Sequence, residues 1–158
     1  MIILLSLNNS SFASPEDSHV QYVIVREFSS RVIDSETGGP IDNCVIWGEI
    51  HSKTLYFEMQ IRGDTYSYWI WDENWVLLKK TINRPKSFER YILTGLSDLL
   101  EPGKHSYSIN ASAPGYLSKS IAGDFVNGEE TIVKIDLNKN TGGLTLKLKN
   151  KEGVISRS

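Results

Sequence analysis

The sequence predicts an all-β fold, an antiparallel β-sandwich, on three observations. Apolar and polar residues alternate with period two in many short segments. Clusters of Gly, Pro, Asn and Asp separate those segments at the spacing typical of a sandwich. The only helix candidate is a single turn near Ser97-Asp-Leu-Leu100.

Taken in chain order, Tyr22-Val-Ile-Val-Arg26, Arg31-Val-Ile-Asp34 and Cys44-Val-Ile-Trp47 are short and rich in β-branched residues, as strands are. Leu55–Arg62 alternates most cleanly. Leu55, Phe57, Met59 and Ile61 share one face, and Tyr56, Glu58, Gln60 and Arg62 share the other, so one face belongs to a core. Tyr107, Ile109 and Ala111 alternate with Ser108, Asn110 and Ser112, and Val133, Ile135 and Leu137 alternate with Lys134 and Asp136. Turns are predicted at Thr37-Gly-Gly-Pro40, Arg62-Gly-Asp64, Glu101-Pro-Gly103, Ala113-Pro-Gly115 and Asn127-Gly128. Arg62-Gly-Asp64 is read as a turn rather than an adhesion motif, because a tripeptide recurs by chance and Gly-Asp reverses a chain well.

The middle of the chain is a long aromatic-rich hairpin. Three of the four tryptophans fall within residues 69–75. In an extended strand Trp69 and Trp71 share a face with Ser67, while Tyr66, Tyr68 and Ile70 share the opposite one. Asp72-Glu-Asn74 is predicted as a tight loop, with Trp75-Val-Leu-Leu78 returning so that Trp75 lies across from Trp71. One aromatic face is core. The other has three readings: burial under a loop spanning residues 79–90 or a neighbouring chain, a ligand platform, or a protein–protein patch. On the platform reading, Trp69, Trp71 and Trp75 stack on sugar rings while Asp72, Glu73 and Asn74 take hydroxyls.

Composition narrows the function. The 158 residues are 40% hydrophobic and 23% charged, which suits one folded domain with terminal extras. A net charge of −2 offers no broad field for nucleic acid, although Lys79, Lys80, Arg84, Lys86 and Arg90 cluster locally. The single Cys44 excludes an internal disulfide. Residues 2–5 with Leu7, followed by small polar residues to Ala13, resemble the back half of a secretory signal peptide, the alternative being an N-terminal strand. No stretch is long enough to span a bilayer as a helix. The expected organisation is a truncated signal peptide at 1–13, a sandwich at 14–139, and a linker plus strand at 140–158. Leu144–Lys149 either opens a further module or pairs back onto the sandwich.

Catalytic patterns are lacking. His19, His51 and His105 have no second ligand at metal-site spacing, and no Gly-x-Ser-x-Gly elbow is present. Asp72-Glu73 and Glu129-Glu130 read as solvated turns, and Cys44 as a buried inert thiol. Asp34/Glu36 and Asp72/Asn74 lack calcium-loop spacing, and Asn110-Ala-Ser112 is a glycosylation sequon. Neither a cofactor nor a metal is expected.

Two segments resemble a known family. Arg31-Val-Ile-Asp-Ser-Glu-Thr-Gly-Gly-Pro-Ile41, continuing to Asn43-Cys-Val-Ile46, is similar to the opening of carboxypeptidase-regulatory-like domains, and Leu96 to Leu137 to their closing half. In that half Leu-Glu-Pro-Gly103 leads into Tyr107–Tyr116, where Gly115 turns the chain so that Tyr116 caps the sandwich end and its hydroxyl needs a partner. Ser30 stands where the family usually has Gly and Cys44 where it usually has Ala, and residues 62–90 are longer than the family's short hairpin. The resemblance covers roughly half of the chain. It implies an immunoglobulin-like, transthyretin-like sandwich serving as a non-catalytic, secreted or cell-surface scaffold. The implied partners are other protein modules, surface components or, by way of the related starch-binding-like domains, polysaccharide. Fold resemblance alone does not establish function.

Overall fold

A computed structural model of the chain describes residues 2–5, 22–87 and 89–141. The strand expected at 144–149 and the latter part of the signal-like segment, 6–13, lie outside the described residues. The apolar run at the start forms strand β1 (Ile2–Leu5), paired antiparallel with β2 (Tyr22–Val25).

Nine further strands follow: β3 (Phe28–Asp34), β4 (Asn43–Ile50), β5 (Leu55–Arg62), β6 (Thr65–Asp72), β7 (Leu77–Pro85), β8 (Tyr91–Ile92), β9 (Gly103–Ser112), β10 (Lys119–Asn127) and β11 (Thr131–Leu137). The expected helical turn is a single 3-10 turn, Leu96–Leu99. An antiparallel six-stranded sheet, β10-β9-β4-β5-β6-β7, packs against a three-stranded sheet, β11-β3-β8. The fold is therefore the all-β sandwich that the alternation implies. One pair departs from a purely antiparallel pattern: β11 runs parallel to β3, Ile135 opposite Val32. Parallel neighbours need a long connection, and here nearly the whole sandwich lies between them.

The period-two pattern carries through to burial. Leu55, Phe57, Met59 and Ile61 on β5, Tyr66, Tyr68 and Ile70 on β6, and Val133, Ile135 and Leu137 on β11 are all buried between the sheets. Along one side, β10 and β11 approach each other, with an ion pair between Lys119 and Asp136 and a bond from Leu117 N–H to Asn138 C=O. Along the other side, β8 and the irregular segment after it are held by tyrosines. Tyr66 Oη donates to Ile92 C=O at 2.8 Å and accepts from Ile92 N–H at 3.0 Å; Tyr68 Oη donates to Thr94 C=O at 2.7 Å. Buried phenols thus satisfy backbone groups that phenylalanines would leave unpaired.

Turns behave as their residues require. Gly63 (φ 63°) and Asp64 form the two-residue connection between β5 and β6, with Arg62 opposite Thr65, so Arg62-Gly-Asp64 is a hairpin turn. At the sandwich end Tyr116 finds its partner: its hydroxyl donates to Asp34 Oδ2 at 2.7 Å. The other oxygen, Oδ1, accepts the N–H groups of Glu36 (2.8 Å) and Thr37 (3.1 Å), closing the turn that precedes Pro40.

The middle of the chain differs from expectation in two places. Residues 79–85, expected within a covering loop, instead continue edge strand β7, which pairs antiparallel with β6 from Leu77 to Pro85, with register shifts between Tyr66/Tyr68 and Ile70/Trp71. Trp71 lies opposite Leu77, not Trp75. The loop is longer than Asp72-Glu-Asn74 because Asp72 Oδ1 accepts from both Asn74 N–H (2.8 Å) and Val76 N–H (2.9 Å), holding Trp75 outside the ladder.

Candidate functional site

The six-stranded sheet turns one face to the core and leaves the other without a covering layer among the described residues. Alternation assigns the outer face. Strand register then orders it into rows. One row runs Leu77, Trp71, Tyr56, Glu49, Ser108, Ala122 across β7, β6, β5, β4, β9 and β10; the next runs Lys80, Trp69, Glu58, Trp47, Asn110, Ser120. Large flat rings occupy the β4–β6 side, and small polar side chains the β9–β10 side.

The rings form a cluster. Trp75 stacks on Tyr56 with centroids 4.2 Å apart and planes 7° apart, and on Trp47 at 5.9 Å and 22°. Trp47 also lies 5.9 Å from Trp71 and 6.1 Å from Tyr56, the latter at 19°. Trp75 is the topmost member and 55% exposed. Its backbone is in the left-handed region (φ 65°), which is unusual for a bulky residue and costs on the order of 1–3 kcal/mol. That conformation turns the indole back over the sheet.

Beside the cluster is a groove of about 140 Å³ lined by Trp47, Glu49, Ser108, Ile109, Asn110 and Ser120. Asn110 Nδ2 donates to Ser120 Oγ at 2.9 Å, and His51 Nε2 bonds Ser108 Oγ at 3.0 Å. Further along the same face, Val45, Gln60, Arg62 and Ser112 border a larger hollow of about 500 Å³.

The predicted platform residues are only partly assembled. Trp71 and Trp75 lie in the cluster. Trp69 is on the same face one row away, between Glu58 and Lys80. One carboxylate oxygen of Asp72 is engaged in shaping the loop, and Asn74 is exposed within it. Trp47 and Tyr56 were absent from the predicted platform, although the alternation that turns Cys44 and Phe57 inward turns both outward.

Groups suited to chemistry are engaged structurally. Cys44 is buried, which pushes its thiol up to about 12, with the charge of Asp42 adding to the effect. His105 is a buried member of β9, hydrogen-bonded to Glu101 C=O at 2.7 Å and to Ser52 Oγ. Glu130 pairs with Arg90 at 3.0 Å. Among the described residues no three His, Cys, Asp or Glu side chains converge as a metal site would require, and no helix is long and apolar enough to cross a membrane. Comparison of the chain with protein-family models and with curated proteins returns no match.

Proposed function

We propose that the protein is a non-catalytic β-sandwich module, secreted or displayed at the cell surface, that binds polysaccharide on the outer face of its six-stranded sheet. The observation that carries this reading is Trp75: a large indole, 55% exposed, held in an unfavourable backbone conformation on top of three other aromatic rings. Strain that presents an apolar ring to water is characteristic of a ligand clamp. The negative π face suits the C–H face of a pyranose, whose hydrogens carry slight positive charge. Glu49, Ser108, Asn110 and Ser120, in the groove beside Trp47 on which Trp75 stacks, offer the donors and acceptors that sugar hydroxyls need. The resemblance of Arg31–Ile41 and of Leu96–Leu137 to carboxypeptidase-regulatory-like domains supports the same role: a rigid scaffold in an exported protein, with binding on its surface and no turnover.

The test is a titration of the intact chain with soluble starch, xyloglucan, mixed-linkage glucan, galactomannan and xylan, followed by tryptophan fluorescence and calorimetry. At least one should give a saturable response. Trp75→Ala should weaken it about tenfold or more, the scale of a truncated tryptophan hot spot, with the far-ultraviolet spectrum unchanged. A flat response to every polysaccharide would sink the proposal.

A further inference from the structure

Resting on that reading, we infer that the ligand is a neutral, linear glycan of about four sugars or more, lying in a trough along β4 and β9 that passes beside Trp47. The outer face has unequal height. On β9 and β10 the outward side chains beside the stretch of β4 from Val45 to Glu49 are Ser108, Asn110, Ser112, Ser120 and Ala122, all short, with the Lys104–Asp124 ion pair lying beyond the Glu49 end. On β5 and β6 they include Tyr56, Trp69 and Trp71, with Trp75 stacked above. A step between short and tall side chains makes a trough whose aromatic wall spans the rows of Glu49 and Trp47, and the next row, Gln60, Val45 and Ser112, carries it on along the strands without a ring.

The two hollows on this face are parts of that trough. The smaller contains Trp47 and Glu49, the larger Asn43 and Val45. These are alternate residues on one side of β4, so the hollows adjoin end to end. From Asn43 to Glu49 the strand advances roughly 20 Å at about 3.4 Å per residue, room for about four sugars. A globular headgroup or a single sugar would leave most of that length unused.

Charge indicates a neutral chain. Glu49 stands at one end of the trough and Arg62 borders the other, while the rest of the lining is uncharged: hydroxyls, the amides of Asn43, Gln60 and Asn110, the indole of Trp47 and apolar groups such as Val45. A uniformly acidic polymer would meet Glu49 beside the aromatic wall, where Glu58 adds a second negative charge. A uniformly basic one would meet Arg62. The floor suits hydroxyls along its whole length.

Calorimetry with cello-, xylo-, manno- and malto-oligosaccharides of two to six sugars, and with oligogalacturonates of the same lengths, tests the inference on the full chain. In the series that binds, affinity should climb with each sugar to about four and then level off. Ser112→Trp, placed on the half-buried floor opposite Val45, should cut hexasaccharide affinity at least about tenfold, the magnitude of a hot-spot contact. It should leave the disaccharide unchanged, whereas Trp75→Ala should weaken every length. A disaccharide that binds as tightly as the hexasaccharide, or an indifferent Ser112→Trp, would overturn the trough while leaving glycan binding intact. Tighter binding of oligogalacturonates would overturn neutrality. Silence from every oligosaccharide and polysaccharide would overturn the glycan reading, and this inference with it.

Discussion

Gly48 has no room for a methyl group, and that makes the packing at β4–β5 open to a sharp test. Gly48 lies directly opposite Phe57, and a Cβ built on it falls inside the van der Waals envelope of ring atoms Cε1, Cε2 and Cζ of Phe57. Ordinary contact begins at 3.4 Å, so the ring would have to withdraw by about an ångström. It has little space to do so. Phe57 is fully buried and meets Phe28 edge-on at 6.0 Å, and Phe28 in turn contacts Tyr107 at 5.4 Å and Phe125 at 5.0 Å. Overpacking of this kind costs typically ~1–3 kcal/mol, while replacing a strand glycine by alanine returns ~0.5–1 kcal/mol of backbone entropy. Gly48→Ala should therefore destabilise by about 1–2 kcal/mol on balance. Phe57→Leu alone leaves a cavity and is destabilising in its own right. Combined with Gly48→Ala, it relieves the clash, so the double variant should be more stable than additivity predicts by about 1 kcal/mol. Urea unfolding of the four proteins, followed by circular dichroism, measures all the terms. A neutral or stabilising Gly48→Ala, or strict additivity, would refute the packing described for this pair.

The core, the sandwich end and the buried thiol carry three further expectations. Ile135→Ala, at a fully buried position, should cost ~2–4 kcal/mol, whereas Ile132→Ala, 48% exposed on the opposite face of β11, should stay within ~0.5 kcal/mol; equal losses in urea melts would mean that the register is wrong. Asp34 is held below its ordinary value of 3.8 first by the Tyr116 hydroxyl, then by the N–H groups of Thr37 and Glu36. Its contribution to stability is thus complete above 3.8 and is lost as pH falls through the lower folded value. Asp34→Asn should flatten that acid limb in pH-dependent melts without abolishing it, since Lys119 lowers Asp136 in the same direction; an unaltered acid limb would count against the Tyr116–Asp34 bond. Cys44, buried with its thiol pushed up to about 12, should resist a disulfide reagent at pH 8 until the chain unfolds; rapid labelling of the native protein would contradict its placement.

How much was legible in the sequence depended on the range of the interaction involved. Strand identity and facing are local, since alternate residues must point oppositely whatever the rest of the chain does. Hence Leu55, Phe57, Met59 and Ile61 were assignable to the core from the sequence alone, and so were Tyr66, Tyr68 and Ile70. Turn chemistry is local as well, and Gly38, Gly63 and Gly115 all adopt the positive φ expected of them. Tyr116 was recognisable as a side chain needing a partner, but the partner, Asp34, is 82 residues away.

What the tertiary structure alone decided was which outward faces lie side by side. Trp47 meets Tyr56 and Trp71 because β4 is followed by β5 and β6 in the sheet, and it borders Asn110 because β9 pairs along the other edge of β4. No periodicity within one strand encodes its neighbour when more than 50 residues separate the two. Trp75 was misjudged for a related reason: two hydrogen bonds to one carboxylate oxygen of Asp72 lengthened the loop and placed the indole above the sheet instead of in it. The sequence determined a two-faced β-sandwich with surplus aromatic residues. Strand order, register and one strained loop gathered them into a single surface, because those features arise from long-range pairing and packing that no short segment specifies.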